Sequence, residues 1–287
     1  MSGTPRRAAG EGPEANARLF CLQGRVAVVT GAAGLLGREH AFALGNAGGS
    51  VVCADLPGER LDLLLAELTE SGIDATAVEC DVTSESQVRR LARQTMSRYD
   101  RIDVLVNNAG LDDKVPAGLT DSLRAQAFEN YSVDWFRKVL DVNVVGAFIC
   151  TRELGQVMAG RAGGSIINIG STYALVAPDQ SLYESSQGEQ LFYKSAAYPV
   201  SKGALLQLTR FTATYWGKRG VRANTLCPGG VFQRQPAAFV EAYAARTPAG
   251  RMADASDYRA ALVFLASDGS AYMNGQQLVV DGGWTAW

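Results

Sequence analysis

A tyrosine and a lysine four positions apart, Tyr198-Pro-Val-Ser-Lys202, stand at the head of an apolar helical run. On a helix that spacing puts the phenol and the ammonium on one face, a turn from each other. An ammonium so close favours the phenolate, so a normally weak acid is expected to exchange protons near neutral pH. Such a group can take a proton from an alcohol or give one to a carbonyl. The pair alone says little, because an exposed lysine beside a core-edge tyrosine has the same spacing. Its weight comes from the rest of the chain.

Upstream, the apolar run Val26-Ala-Val-Val-Thr30 leads into Gly31, Gly34 and Gly37, then into a helical pattern carrying Leu35, Leu36, His40, Ala41 and Leu44. Strand, glycine turn and helix in that order form the context in which a dinucleotide is bound. Glycine lets the chain turn tightly and lets backbone amides approach a pyrophosphate, and the helix N-terminus adds partial positive charge. A glycine turn that only packs a helix on a sheet is the plainer alternative. A second strand over 50–54 ends at Asp55-Leu56. A carboxylate there can accept both ribose hydroxyls of NAD and would repel the 2′-phosphate of NADP. No basic residue stands among Ala32, Ala33 and Gly34 or immediately after Asp55, so NAD is the expected cofactor.

Positioning these groups requires an alternation of strands and helices, and the hydrophobic pattern supplies it. The pattern predicts helices over 60–71, 85–98, 133–160, 198–219, 235–246 and 256–267. It predicts strands over 75–79, 103–106, 165–169, 222–226 and 277–280. The expected fold is α/β: one domain over 22–287, built on a doubly wound, Rossmann-type parallel sheet covered on both faces. Residues 1–21 read as a loose N-terminal arm. Each polar motif follows a strand: Gly31, Asp55, Asp81, Asn107, Ser171 and Pro228. In such a sheet those ends form one rim where cofactor and substrate bind.

Composition removes other chemistries. At 287 residues and 47% hydrophobic content the chain can bury one large core. A net charge of −2 offers no basic field for nucleic acid, and no apolar stretch is long enough to span a bilayer. His40 is the single histidine, which excludes a Ser-His-Asp hydrolase and leaves no histidine-based metal site, so no metal is expected. There is no P-loop signature. The five cysteines are scattered, without a C-x-x-C, and read as free thiols in a reducing cytoplasm.

Thr30-Gly31…Gly37, Asp55, Asp81-Val82, Asn107-Asn108-Ala109-Gly110, Asn143, Ser171, Tyr198…Lys202, Pro228-Gly229 and Val280-Asp281-Gly282-Gly283 together resemble the short-chain dehydrogenase/reductase family. The resemblance covers about residues 22–287 and is specific in combination. It implies that Tyr198 is the general acid/base, that Lys202 lowers its pKa and bonds the nicotinamide ribose, and that Ser171 orients the reacting oxygen. It further implies that Asn143 anchors a water leading the proton outward. Asp81 and Val82 would hold the adenine, Asn107, Ala109 and Gly110 the middle of the cofactor, and Val231 the carboxamide. Plainer roles exist for several of these: Asn143 and Ser171 could satisfy backbone groups, Asp81 could cap a helix, and Asn107-Asn108 could be a turn.

Three features depart from the family pattern. Gly34 gives the spacing Gly31-x-x-Gly34-x-x-Gly37, closer to the extended branch that includes nucleotide-sugar epimerases. The Asn-Asn-Ala-Gly stretch and the Asp-Gly-Gly ending point back to the single-domain branch. Gln233 stands where a threonine often follows the Pro-Gly. Ser171 and Tyr198 are separated by 27 positions, about twice the usual gap, so a segment over about 174–197 is inserted between them. Ser185 lies at the usual distance, yet Ser171 ends a strand and has the positional claim. The insert carries Asp179, Tyr183, Glu184, Glu189, Gln190, Phe192, Tyr193 and Lys194. Such polar and aromatic groups suit a hydroxyl-rich ligand, or else a surface or subunit-contact loop. A looser resemblance is to oxidoreductases of bacterial surface-sugar and nonulosonic acid pathways.

The expected activity is NAD-dependent interconversion of a secondary alcohol and a ketone, on a sugar, polyol or similar small molecule. Two alternatives stay open: an epimerase or dehydratase that retains its NAD, and a non-catalytic NAD(H)-binding sensor. The family implies a homodimer or homotetramer, through apolar faces formed by Phe136, Val139, Val144 and Phe148 and by Leu205, Leu208, Phe211 and Tyr215. The terminal Trp284-Thr-Ala-Trp287 is a candidate cover for the site.

Overall fold

A computed structural model describes residues 13–112, 120–185 and 187–287. The helices are α1 (Pro13–Leu19), α2 (Leu35–Asn46), α3 (Glu59–Glu70), α4 (Glu85–Tyr99), α5 (Thr120–Gln126), α6 (Val133–Leu140), α7 (Ala147–Ala159), α8 (Ala197–Trp216), α9 (Ala237–Arg246) and α10 (Arg259–Ala266). The strands are β1 (Val26–Thr30), β2 (Ser50–Asp55), β3 (Ala75–Glu79), β4 (Val104–Asn107), β5 (Gly164–Ile169), β6 (Val221–Pro228) and β7 (Gln277–Val280). They form one sheet in the order β3-β2-β1-β4-β5-β6-β7. Every neighbouring pair is parallel.

Both faces are buried, which is why the strands read as continuous β-branched runs. Leu44 of α2, Leu61, Leu64 and Leu68 of α3, and Leu262 of α10 pack on one face. Val88 and Leu91 of α4, Ile149 and Leu154 of α7, and Trp216 of α8 pack on the other. Strand order reverses between β1 and β4, and a crevice opens at the carboxyl ends of the strands there.

The helix expected over 133–160 is not continuous. Between α6 and α7 the backbone makes a π-helical turn, Asp141–Gly146, and Asn143 sits inside it. Of the N-terminal arm, Pro13–Leu19 is helical, and 1–12 lie outside the described residues. Two side chains expected on apolar outer faces, Val139 and Leu205, belong to the core instead. Phe148, Phe211 and Tyr215 are exposed.

Candidate active site

The carboxyl ends of the strands open on one cleft of about 1660 Å³, larger than the ~300–1,000 Å³ of a site for one drug-sized molecule. Gly31, Gly34, Leu35, Leu36 and Gly37 line it at the N-terminus of α2. Gly31 has φ +61°, and a Cβ there would lie 2.7 Å from Ala109 Cα. A Cβ on Gly37 would lie 2.1 Å from the Gly31 carbonyl oxygen. Both glycines are therefore dictated by close backbone approach. Thr30 locks the neighbouring loop: its hydroxyl accepts from the amides of Asn108 and Ala109, each at 3.1 Å.

Further along, Asp55, Leu56, Asp81 and Val82 line the cleft. Asp55 Oδ2 accepts from the Ala33 amide at 2.7 Å and Oδ1 from the Leu56 amide at 2.8 Å. Asp81 Oδ1 accepts from the amide and the hydroxyl of Thr83, at 2.9 and 2.8 Å. This closes a local turn and does not cap α4. Arg60, which the sequence reading passed over, lines the cleft beside them. Its guanidinium donates to the Ala33 carbonyl at 2.7 Å.

At the other end, Ser171, Tyr198 and Lys202 meet. Pro199 falls in the first turn of α8, where a missing amide costs nothing. The Lys202 ammonium donates to the Ile169 carbonyl at 2.7 Å and lies 5.6 Å from the centre of the Tyr198 ring. Ser171 ends β5 and is 8% exposed. Ser185 is not a rival: its hydroxyl accepts from the amides of Gln187 and Glu189 in a turn.

The electrostatics correct one expectation. The phenol of Tyr198 is not lowered in the chain alone. Burial pushes it up, the Asp112 carboxylate adds to the rise, and a hydrogen bond with Ser171 pulls it back. Lys202 is itself drawn down to about 8, by burial first, with Asp112 and Cys227 acting against it. The cost of removing a phenolate from water is the largest cause of the rise at Tyr198.

Two predicted residues do not line the cleft. The Asn107 side chain is buried beneath it, donating to Thr151 Oγ1 at 3.0 Å and Asn168 Oδ1 at 2.8 Å. Its neighbour Asn108 faces the rim and donates to the carbonyls of Thr30 and Gly31. Asn143 is also buried. Its Oδ1 accepts from the Leu111 amide at 2.7 Å, and its Nδ2 donates to the Leu111 carbonyl at 3.0 Å and Ser201 Oγ at 2.9 Å. It ties the loop after β4 to α8 one turn from Tyr198. Ala109, Gly110, Pro228, Gly229, Val231 and Gln233 line the cleft.

The segment over 174–197 forms part of one wall of the cleft. Tyr183, Phe192 and Lys194 reach the cleft from it, together with Tyr173 just ahead of it and Phe239 and Tyr243 of α9. Tyr183 packs 5.0 Å from Phe192 and 5.3 Å from Phe239, between ring centres. Trp284 stacks on Tyr243 at 4.2 Å, and the Tyr243 hydroxyl accepts from the Gly230 amide at 2.6 Å. Trp284 thus buttresses the wall from behind, and Trp287 is exposed.

A nicotinamide dinucleotide fits these residues. A Cβ on Gly110 would stand 3.3 Å from Asn143 Oδ1 and 3.5 Å from Lys202 Nζ, in space the cleft keeps open between the glycine turn and Tyr198. A parallel sheet with this switch point and a Ser-Tyr-Lys cluster on its rim defines a nicotinamide-dependent oxidoreductase acting on an alcohol or ketone. A family model described as enoyl-(acyl carrier protein) reductase matches residues 31–285. The chain belongs to the short-chain dehydrogenase/reductase family, in its single-domain form.

Among its relatives, D-threitol dehydrogenase of Mycolicibacterium smegmatis is 33% identical, with 93% of this chain and 95% of that protein aligned. Galactitol 2-dehydrogenase (L-tagatose-forming) of Cereibacter sphaeroides is 34% identical, over 94% and 98% of the two chains. A gluconate 5-dehydrogenase structure from Burkholderia cenocepacia, in complex with NADP and tartrate, superposes with a TM-score of 0.82 at 30% identity, over 95% and 99% of the chains.

Proposed function

We propose that this enzyme interconverts a secondary alcohol and a ketone on a sugar, polyol or similar hydroxylated small molecule, with NAD as its preferred cofactor. The observation that carries the reading is the meeting of Ser171, Tyr198 and Lys202 on the rim of a cleft that begins at the glycine turn. When bound, the nicotinamide supplies or accepts the hydride. Tyr198 takes the alcohol proton or returns it to the carbonyl oxygen, and Ser171 orients that oxygen by a second hydrogen bond. Lys202, with one donor on Ile169, offers its remaining donors to a ribose hydroxyl. Asn143 fixes the loop beside Gly110 through its bonds to Leu111.

The polyol dehydrogenases among the relatives and the tyrosine-rich wall support the substrate class. Asp55 supports NAD. Arg60 favours a second reading, in which NADP is also used, and two solved gluconate 5-dehydrogenase relatives hold NADP. The free thiols, four of five buried, support a cytoplasmic setting. Exposed Phe148, Phe211 and Tyr215 support a homodimer or homotetramer.

Tyr198→Phe tests the reading. NADH binding, followed by its fluorescence, should persist while turnover falls by about 10²–10⁴. Wild-type turnover in that variant would end the assignment.

A further inference from the structure

The cleft holds a second charged pair that the proton-transfer reading has not used. Lys194 and Asp112 both line it near Tyr198 and form an ion pair. Lys194 Nζ stands 4.4 Å from the centre of the Tyr198 ring, closer than the 5.6 Å of Lys202. The Lys194 side chain is 7% exposed and that of Asp112 43%, so the ammonium is the shielded partner and the carboxylate the wetter one.

Lys194, Tyr198 and Lys202 follow one another at intervals of four, yet only the last two belong to α8. Lys194 comes from the inserted segment, and that segment is built to hold it. Gln180 grips its backbone from both sides, Oε1 accepting from the Lys194 amide at 3.0 Å and Nε2 donating to its carbonyl at 2.9 Å. Gln190 Nε2 in turn donates to the Gln180 carbonyl at 3.0 Å. Leu182 anchors the segment in a cluster with Tyr243, Met252 and Trp284.

Resting on the assignment of Tyr198 as the proton carrier, we propose that Lys194 and Asp112 are positioning residues that set the acidity of the Tyr198 phenol. Lys194 favours its ionised form, Asp112 opposes it, and the insert serves to deliver Lys194. The other groups facing the phenol are Ser171, Lys202, Tyr173 and Cys227. Asp112 is the leading charge that raises it. An opposite charge within ~4–6 Å moves such a group by about 1–3 pH units, and a partly compensated one moves it by less.

The test is the pH profile of kcat/KM for alcohol oxidation, using the most active substrate from a panel that includes threitol, galactitol and gluconate. Oxidation needs the ionised phenol, so its rising limb reports Tyr198. Lys194→Met should move that limb up by about one pH unit, and Asp112→Asn should move it down. The double variant should return close to wild type, and Lys194→Arg should keep the wild-type limb. An unmoved limb in both single variants, even with slower turnover, would overturn the proposal and leave the pair a structural one. If Lys194→Met does not fold, Asp112→Asn decides alone: a downward shift supports the pair and none refutes it. Tyr198→Phe separates the two ideas, because turnover there, or no turnover of the whole panel by the wild type, removes the proton-carrier assignment itself.

Discussion

Asp55 holds two backbone amides at once, and this ties cofactor choice to the shape of the glycine turn. Its carboxylate fixes Ala33 and Leu56 while still facing the cleft, so a 2′-phosphate brought to it meets a like charge at close range. Arg60 stands on the same carbonyl-and-amide frame, through Ala33, and offers a guanidinium suited to phosphate. The two residues therefore pull in opposite directions. Asp55→Asn should weaken NAD, raising its KM about tenfold or more, and narrow the preference over NADP. Arg60→Met should cost NADP more than NAD. Steady-state KM values for both cofactors check this. At this scale the reading from sequence went furthest where chemistry names the residue, as at Gly31, Gly37, Ser171 and Tyr198. It did not show that the Asn107 side chain lies beneath the cleft while Asn108 lines it, because side-chain direction at the end of β4 follows strand parity, and composition does not carry that.

Among the elements, the wall built by the insert, α9 and the C-terminal turn is the part that depends most on distant contacts. Trp284 is nearly buried and stacks on the ring whose hydroxyl holds Gly230. Trp284→Ala should lower stability by about 3 kcal/mol in urea titration. Its larger mark should be on cofactor KM, since the loop of Pro228, Gly229 and Val231 loses its backing. The parallel strands could be read in advance, because buried strands leave unbroken apolar runs between glycines and acids. The π turn could not. Asp141-Val-Asn-Val-Val-Gly looks like uninterrupted helix, and the extra residue accompanies bonds from Asn143 to Leu111 and Ser201, 32 and 58 positions away. Likewise, nothing in the insert's composition told which of its polar residues would reach Tyr198.

For the molecule as a whole, the buried His40 sets a limit on acid tolerance. Neither ring nitrogen has a partner among the described residues, and burial holds the imidazole down at about 3, from 6.5. The unfolded chain takes up a proton near 6.5 that the folded chain refuses. The contribution is therefore complete above 6.5 and is lost as the pH falls toward 3. Between pH 7 and pH 5 the wild type should lose about 2 kcal/mol more than His40→Leu, read from urea midpoints at the two pH values.

Below the cleft, Asn107, Asn168 and Thr225 occupy one row across three adjacent strands. Asn168 Nδ2 donates to Thr209 Oγ1 at 2.7 Å, and that hydroxyl is hydrogen-bonded to Thr225 Oγ1 at 2.7 Å. Thr151 and Thr209 bring α7 and α8 into the same chain. Sliding any one of these strands by a residue would strand amides in a dry interior. The bed under the reacting atoms is thus stitched crosswise from β4 to β6. Tyr198 therefore rides on a helix moored to that bed through Thr209.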